Sequence, residues 1–266
     1  MWLGDSLSFV DLHHGPSPLI LPNAWDVGSA LVFREEGFPA VGTTSLGLAA
    51  RDGHADARRS VQHSTERLVH QLLGLGCYVS ADIEDGFSDS PADVAEYVHR
   101  LKAHGINIED STGGSLIDPD LHGAKISSIK ETNPGVFVNA RVDTYWLGEQ
   151  ATVEFTLERA HRYVEAGADG IFIPGVLEPA EIRAFTTAIP APLNVLASTV
   201  HTSTELGGMG VRRISTGSLP YRAALDAALR VATDARDGRP ATRATPYDAV
   251  QRMLEGFERT TGETPR

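Results

Sequence analysis

Eight short apolar runs, rich in Val and Ile, recur about every thirty residues along this chain, with amphipathic segments between them. The runs are Leu19–Pro22, Ala40–Thr43, Cys77–Asp82, Gly105–Glu109, Val136–Arg141, Gly170–Ile173, Leu193–Leu196 and Arg212–Ser215. Runs that are apolar on both faces read as strands covered on both sides. Strands joined through helices must run parallel. Eight such units leave two closures, a (β/α)8 TIM barrel or a doubly wound open sheet, and the count of eight favours the barrel. The 266 residues suit a single α/β barrel domain over residues 1–266, with its core at about 19–232.

The segments between the runs carry helix punctuation. Asp26 is placed to cap a helix that Gly37 ends, and Pro91 stands at a first helical position, where a missing N–H costs nothing. A further helix is expected over Glu149–Ala166, closing at Gly167. After a loop at 236–245, an extra C-terminal helix is expected at 246–257. Its Val250, Met253, Leu254 and Phe257 recur at helical spacing, so it must pack either on its own barrel or on a neighbouring subunit.

Charge narrows the partners. A formal net charge of −12 argues against nucleic acid, because phosphates need Lys and Arg. The lone Cys77 leaves no disulfide and no cysteine zinc cluster, and its place at the start of a strand makes it a small core residue. No apolar stretch is long enough to span a membrane. The opening MWLGDSLSFVDLHHG lacks a basic stretch followed by an apolar run, so no signal peptide and a cytoplasmic location are expected.

In a barrel of this kind the chemistry sits at the carboxyl ends of the strands. Those ends here carry Asn23, Asp26, Thr43, Thr44, Ser45, Asp82, Glu84, Asp85, Asn107, Glu109, Asp110, Asn139, Arg141 and Asp143, with Asn194 on the seventh strand. Asp82 and Glu84 are two apart and share a face if the chain is extended, and Glu109 ends the next strand. Three carboxylates at one mouth repel one another unless a cation lies between them, and oxygen ligands select Mg2+ or Mn2+. The plainer alternative is that each acid caps a helix or pairs with a surface cation. Arg141 is the only cation among these strand ends. Its fork suits a carboxylate or phosphonate, or an internal salt bridge to Glu109 or Asp143. The small run Thr43–Gly47 offers backbone N–H groups to an oxyanion, or makes an ordinary turn. His54 and Asp56 follow on a loop, where either would do proton work or simply face water.

The segments LPNAWDVGSA, TTSLGLAA, VSADIEDGF, GINIEDS, NARVDTYW, RAHRYVEAGADGIFIPG, PLNVLA and GVRRISTGSLPYRAAL run in order from about Leu21 to Leu225. Together they resemble the isocitrate lyase / phosphoenolpyruvate mutase superfamily. The resemblance implies an α/β barrel whose last helix is often swapped to a neighbouring subunit, giving a homo-dimer or homo-tetramer. It implies Mg2+ or Mn2+ held, directly or through water, at Asp82, Glu84 and Glu109. It implies a small oxo-acid whose 2-oxo-carboxylate end meets the metal and the backbone of Ser45, Leu46 and Gly47. Arg141 matches a substrate-binding Arg, Asp56 an Asp near the reacting group, and Asn194 a pocket residue. The implied chemistry makes or breaks a C–C or P–C bond beside a pyruvate enolate, where Arg141, Asp56 and Glu109 are the catalytic candidates.

One departure bears on the reaction. Lyases of this superfamily carry Lys-x-Cys-Gly-His on the loop after strand four, and the mutase carries Lys and Asn. Here that loop, Glu109 to Asp118, has neither Lys nor Cys. That departure counts against isocitrate or methylisocitrate cleavage by the usual mechanism and against the mutase, and a Mg2+-dependent lyase for a small 2-oxo or 2-hydroxy acid stands first as the most general reading. A P–C bond enzyme (a phosphonopyruvate hydrolase or a mutase) and an oxaloacetate decarboxylase are alternatives. A non-catalytic oxo-acid-binding barrel is the alternative from another class.

Overall fold

The computed structural model describes residues 7–262. Its elements alternate as the apolar runs require. The strands β1 (Leu19–Leu21), β2 (Asn23–Ala24), β3 (Ala40–Thr43), β4 (Tyr78–Asp82) and β5 (Gly105–Glu109) are followed by a small pair, β6 (Ser111–Thr112) and β7 (Ser115–Leu116). Then come β8 (Phe137–Arg141), β9 (Gly170–Phe172), β10 (Leu193–Leu196) and β11 (Arg213–Ser215). The helices are α1 (Val27–Glu35), α2 (Ser45–Arg51), α3 (Gln62–Leu72), α4 (Pro91–Leu101), α5 (Pro119–Thr132), α6 (Thr144–Leu147), α7 (Val153–Glu165), α8 (Pro179–Ala188), α9 (Ser203–Gly208), α10 (Leu219–Arg236) and α11 (Tyr247–Thr261).

The first apolar run forms β1, and a second short strand, β2, follows it directly. β1 pairs in parallel with β11, and β2 pairs in parallel with β3. Pro22 separates them, since it has no N–H to give, but its carbonyl accepts from Gly42 N–H at 2.8 Å. The sheet order β1-β11-β10-β9-β8-β5-β4-β3-β2 therefore returns to the stretch of chain where it began, and the barrel closes. The open-sheet alternative is excluded.

Period-two alternation assigns the two faces of each strand. Val79, Ala81, Ile106, Ile108, Val138, Ala140, Ile171, Val195 and Ile214 pack outward into the main core under the helices. The other face is polar for much of its height. Asn139 Nδ2 donates to Asn107 Oδ1 at 2.8 Å, and Arg213 Nη2 reaches the same oxygen at 2.9 Å and Ser80 Oγ at 3.3 Å. At the strand starts the barrel is stoppered by Phe9, Leu19, Leu21, Ala40 and Phe137. His13 stacks on Phe137 with centroids 4.0 Å apart and holds the Phe9 carbonyl through Nδ1 at 2.8 Å. Polar chemistry is thus confined to the upper barrel and its mouth.

Asp26 caps α1 with a full capping box, and Pro91 opens α4 as the sequence indicates. α7 begins at Val153 rather than near Glu149. Thr152 accepts from Phe155 N–H, and the Glu149 carboxylate instead accepts from Leu116 N–H at 3.2 Å. The C-terminal helix α11 lies on its own barrel, where Met253, Leu254 and Phe257 pack against the core in a groove shared with Leu31 and Leu75. Helix α10 sets Tyr221 edge-on against Trp25 but buries none of its 18 residues and leaves Leu225 53% and Leu229 64% exposed. Cys77 is a buried core residue whose thiol burial pushes up to about 11. Among the described residues no helix is long and apolar enough to cross a membrane.

Candidate active site

Asp82 ends β4 and faces the mouth. Its N–H donates to Thr43 Oγ1 at 2.8 Å, and its Oδ2 accepts from Ser45 N–H at 3.0 Å. Burial raises its pKa above the ordinary carboxylate value. The run Thr43–Gly47 is not a loose turn. Thr44 is the N-cap of α2 and accepts from Gly47 N–H at 3.5 Å. Two of the three backbone donors anticipated for a substrate oxyanion therefore have partners within the chain. Leu46 lies half-buried between them.

Glu84 does not continue the strand. It takes a left-handed backbone at φ 48°, and Gly86 (φ 91°) and Phe87 (φ 61°) turn the chain further. Asp82 and Glu84 thus reach the mouth from a strand end and a turn, not from one extended face. Glu84 is 3% exposed. Its Oε2 accepts from the backbone N–H of Arg59 at 2.8 Å, while its buried Oε1 has no partner. Burial pushes Glu84 up to about 7, and the charges of Asp82, Asp56 and Asp85 add to that.

Glu109 and Arg141 are register partners across β5 and β8. Arg141 donates to Glu109 through Nη1 and to Asp143 through Nε. Both internal bridges open to Arg141 from the sequence are therefore formed. Burial alone would lower the guanidinium pKa, but Asp143 and Glu109 outweigh it and hold it above its ordinary value. The guanidinium carbon also lies 5.5 Å from the Trp146 ring centroid and 5.7 Å from that of Phe172. Beneath this pair Asp110 is fully buried. It accepts from Arg159 Nε at 2.6 Å, Tyr163 Oη at 2.7 Å and Asp143 N–H at 2.8 Å. Asp110, Arg159 and Tyr163 thus fix Asp143, which in turn fixes Arg141.

Asp56 is exposed on the loop above, and its charge raises the pKa of Asp82, Glu84 and Glu109. Asn194 lies at the other extreme, fully buried inside the barrel. Its amide is closed on the Ser215 hydroxyl at 2.9 and 3.0 Å. The loop after the fourth barrel strand folds into the β6–β7 hairpin, with Gly113 and Gly114 both at positive φ, as a two-residue hairpin turn demands.

Among the described residues no three His, Cys, Asp or Glu side chains are gathered closely enough to hold a metal unaided. Glu109 is turned to Arg141, and Glu84 to Arg59. The donor set still fits a hard divalent cation. Asp56, Asp82, Glu84 and Glu109 place more negative charge at the mouth than Arg141 offsets, and Glu84 Oε1 is an orphaned acceptor. A cation such as Mg2+ that keeps several waters meets such acids through those waters.

Residues 9–236 match the phosphoenolpyruvate phosphomutase family model. The chain belongs to that family. A full-length relative is an uncharacterized protein of Mycobacterium tuberculosis (strain ATCC 25618 / H37Rv), 50% identical over 258 residues, which are 97% of this chain and all of the relative. The 2-methylisocitrate lyase of Bacillus subtilis (strain 168) is 27% identical over 197 residues, 70% of this chain and 64% of the lyase. Among solved structures, a candidate lyase/mutase of Burkholderia cenocepacia J2315 is 34% identical with a TM-score of 0.85, covering 93% of this chain and 94% of that one. A phosphonopyruvate hydrolase solved with oxalate and Mg2+ has the same fold, at 24% identity and a TM-score of 0.82, with 95% of each chain covered. Relatives of this chain thus include a lyase and a candidate lyase/mutase.

Three participants escape a reading by strand ends. Arg59 sits in a loop, and its only signal is an Arg pair ahead of the acid-rich DIEDGFSD. Arg159 and Tyr163 are four apart on α7, a spacing that marks one helix face but not which face is buried.

Proposed function

We propose that this family member is a Mg2+-dependent (or Mn2+-dependent) lyase that breaks a C–C bond in a small 2-oxo or 2-hydroxy carboxylic acid by way of a pyruvate-type enolate. The observation that carries this is the Arg141 fork, fixed in register beside Glu109 at an acid-rich mouth. It is a carboxylate-binding cation next to a cation-binding set of carboxylates. Asp82 is the ligand best placed for the metal, with Glu84 Oε1 and Glu109 holding its waters. When bound, the metal supplies a Lewis acid for charge developing on the substrate oxygen. Arg141 orients the substrate carboxylate by exchanging bonds it now gives to Glu109 and Asp143. Asp56, above the mouth, moves the proton. Ser45, Leu46 and Gly47 shape the wall beside Asp82, and Ser45 N–H keeps the Asp82 carboxylate in place. Asn194 shapes the pocket floor through Ser215.

The β6–β7 hairpin offers no Lys or Cys, which leaves proton transfer to groups on other loops. A P–C bond reaction is the second reading, favoured by the family match and by the likeness to phosphonopyruvate hydrolase. The unburied apolar residues of α10 support a homo-dimer or homo-tetramer in which this helix is covered by another copy.

The test has two parts. Oxalate, an analogue of the pyruvate enolate, is expected to raise the melting temperature only when Mg2+ is present. A panel of oxaloacetate, 2-methylmalate-type acids and phosphonopyruvate is then assayed for pyruvate or CO2. A protein inert to the whole panel, with no Mg2+-dependent oxalate shift, sinks the enzyme reading.

A further inference from the structure

The loop over residues 53–60 carries Asp56 above the mouth although physics works against its staying there. Residues 51–58 are all exposed. Ala57 (φ 57°) and Arg59 (φ 55°) hold left-handed backbone without being glycine. The Asp56 charge is repelled by Asp82, Glu84 and Glu109, whose protonation it favours. An exposed, strained segment with a repelled charge at its tip would swing outward unless something tied it down.

Arg59 supplies the tie at both of its ends. Its backbone N–H donates to Glu84 Oε2 at 2.8 Å. Its guanidinium grips Asp85 through Nε at 3.0 and 2.9 Å and bonds Asp85 and Asp89 through Nη2. Asp85 is itself buried and anchored. It is 2% exposed, and its carbonyl accepts from the buried Lys125 Nζ at 2.8 Å. Acids of the segment from 82 to 89 thus divide the work: Asp82 faces the mouth, Glu84 takes the Arg59 backbone, and Asp85 and Asp89 take its side chain.

We infer that Arg59 is a positioning residue that straps the 53–60 loop onto the turn after β4 and so holds Asp56 over Asp82 and Glu84. The chemical use of Asp56 rests on the function proposed above, but the strap itself does not.

The first arm of the test therefore needs no ligand. Hydrogen exchange is measured on the full-length, metal-free protein, on Arg59→Ala and on Arg59→Lys. Arg59→Ala is expected to speed exchange at the hydrogen-bonded amides of the 53–60 loop, those of His54 and residue 59, by about tenfold or more while the barrel strands stay protected. Arg59→Lys keeps the charge but not the fork and gives a smaller rise. Unchanged exchange at 53–60 overturns the strap, and Arg59→Lys decides alone if Arg59→Ala does not fold.

The second arm titrates oxalate at saturating Mg2+, so that the Asp56 charge acts on the oxalate dianion and not on loading of the metal. Asp56→Asn is expected to tighten oxalate in the wild-type background and to have no effect in Arg59→Ala, since an untethered Asp56 no longer faces the site. Equal effects in both backgrounds, or none in either, overturn the positioning role. If oxalate does not bind the wild type, the lyase reading fails while hydrogen exchange still decides the strap.

Discussion

The backbone N–H of Ser45 donates to Asp82 Oδ2 at 3.0 Å, joining the first turn of α2 to the end of β4. Asn at position 82 keeps that acceptor but removes the charge. Asp82→Asn is therefore expected to fold with a near-native melting temperature and to lose the Mg2+-dependent oxalate shift. A retained shift, measured by thermal unfolding with and without Mg2+, would remove Asp82 from the metal site.

Arg141 makes a different prediction because it binds the organic partner and not the cation. Arg141→Ala should leave the melting-temperature change caused by Mg2+ alone intact. It should weaken oxalate by about 10- to 100-fold, the worth of a charge-assisted, two-pronged hydrogen bond. Thermal unfolding with and without Mg2+ reads the first value, and calorimetric titration of oxalate at fixed Mg2+ reads the second. Arg141→Lys should not rescue, because an ammonium cannot present the fork.

Asp110 is a support rather than a reactant. Asp110→Asn leaves the buried Arg159 guanidinium without its counter-charge and weakens the bonds from Tyr163 and Asp143. Breaking a buried pair in this way costs about 3–5 kcal/mol. Urea unfolding should show that loss in the midpoint, and a change below about 1 kcal/mol would mean the network is dispensable.

Glu84 ties stability to pH. Its pKa is raised in the folded state to about 7, from 4.5, with burial as the main cause. The folded protein thus holds the proton more tightly than the unfolded chain. The stability this provides is present at low pH and is lost as pH rises from 4.5 through 7, an effect of about 3 kcal/mol at most. Melting temperatures of wild type and Glu84→Gln should lie close at pH 4.5, separate over that window as wild type loses stability, and run parallel above it. Parallel curves from pH 4.5 to 7 would show that Glu84 titrates normally.

The exposed face of α10 predicts the assembly. Leu229→Glu should convert an oligomer to monomers in light scattering, because the apolar face would no longer be worth covering. A wild-type protein that is already monomeric would end this reading.

Local chain physics made the eight-unit alternation legible. Two-sided apolar runs of four to six residues, spaced regularly by amphipathic helical segments, read as buried parallel strands, and the caps at Asp26 and Pro91 need only neighbouring backbone. The strand ends also gave Asp82, Glu109 and Arg141, because position along a parallel strand fixes which end of a barrel a side chain serves. Other features came only from chain segments far apart in sequence meeting in space. Glu84 leaves the strand direction through a left-handed turn, so its partner is the Arg59 N–H rather than its neighbour in the motif. Ser45 and Gly47 spend their N–H groups on Asp82 and Thr44. Asn194 closes on Ser215 inside the barrel. The terminal α11 packs Met253, Leu254 and Phe257 on its own barrel while α10 leaves Leu225 and Leu229 exposed, since an apolar stripe in sequence reveals that a helix must pack but not on what. Whether a polar group binds a substrate or its own chain depends on distances across the closed barrel, and only the tertiary structure sets those.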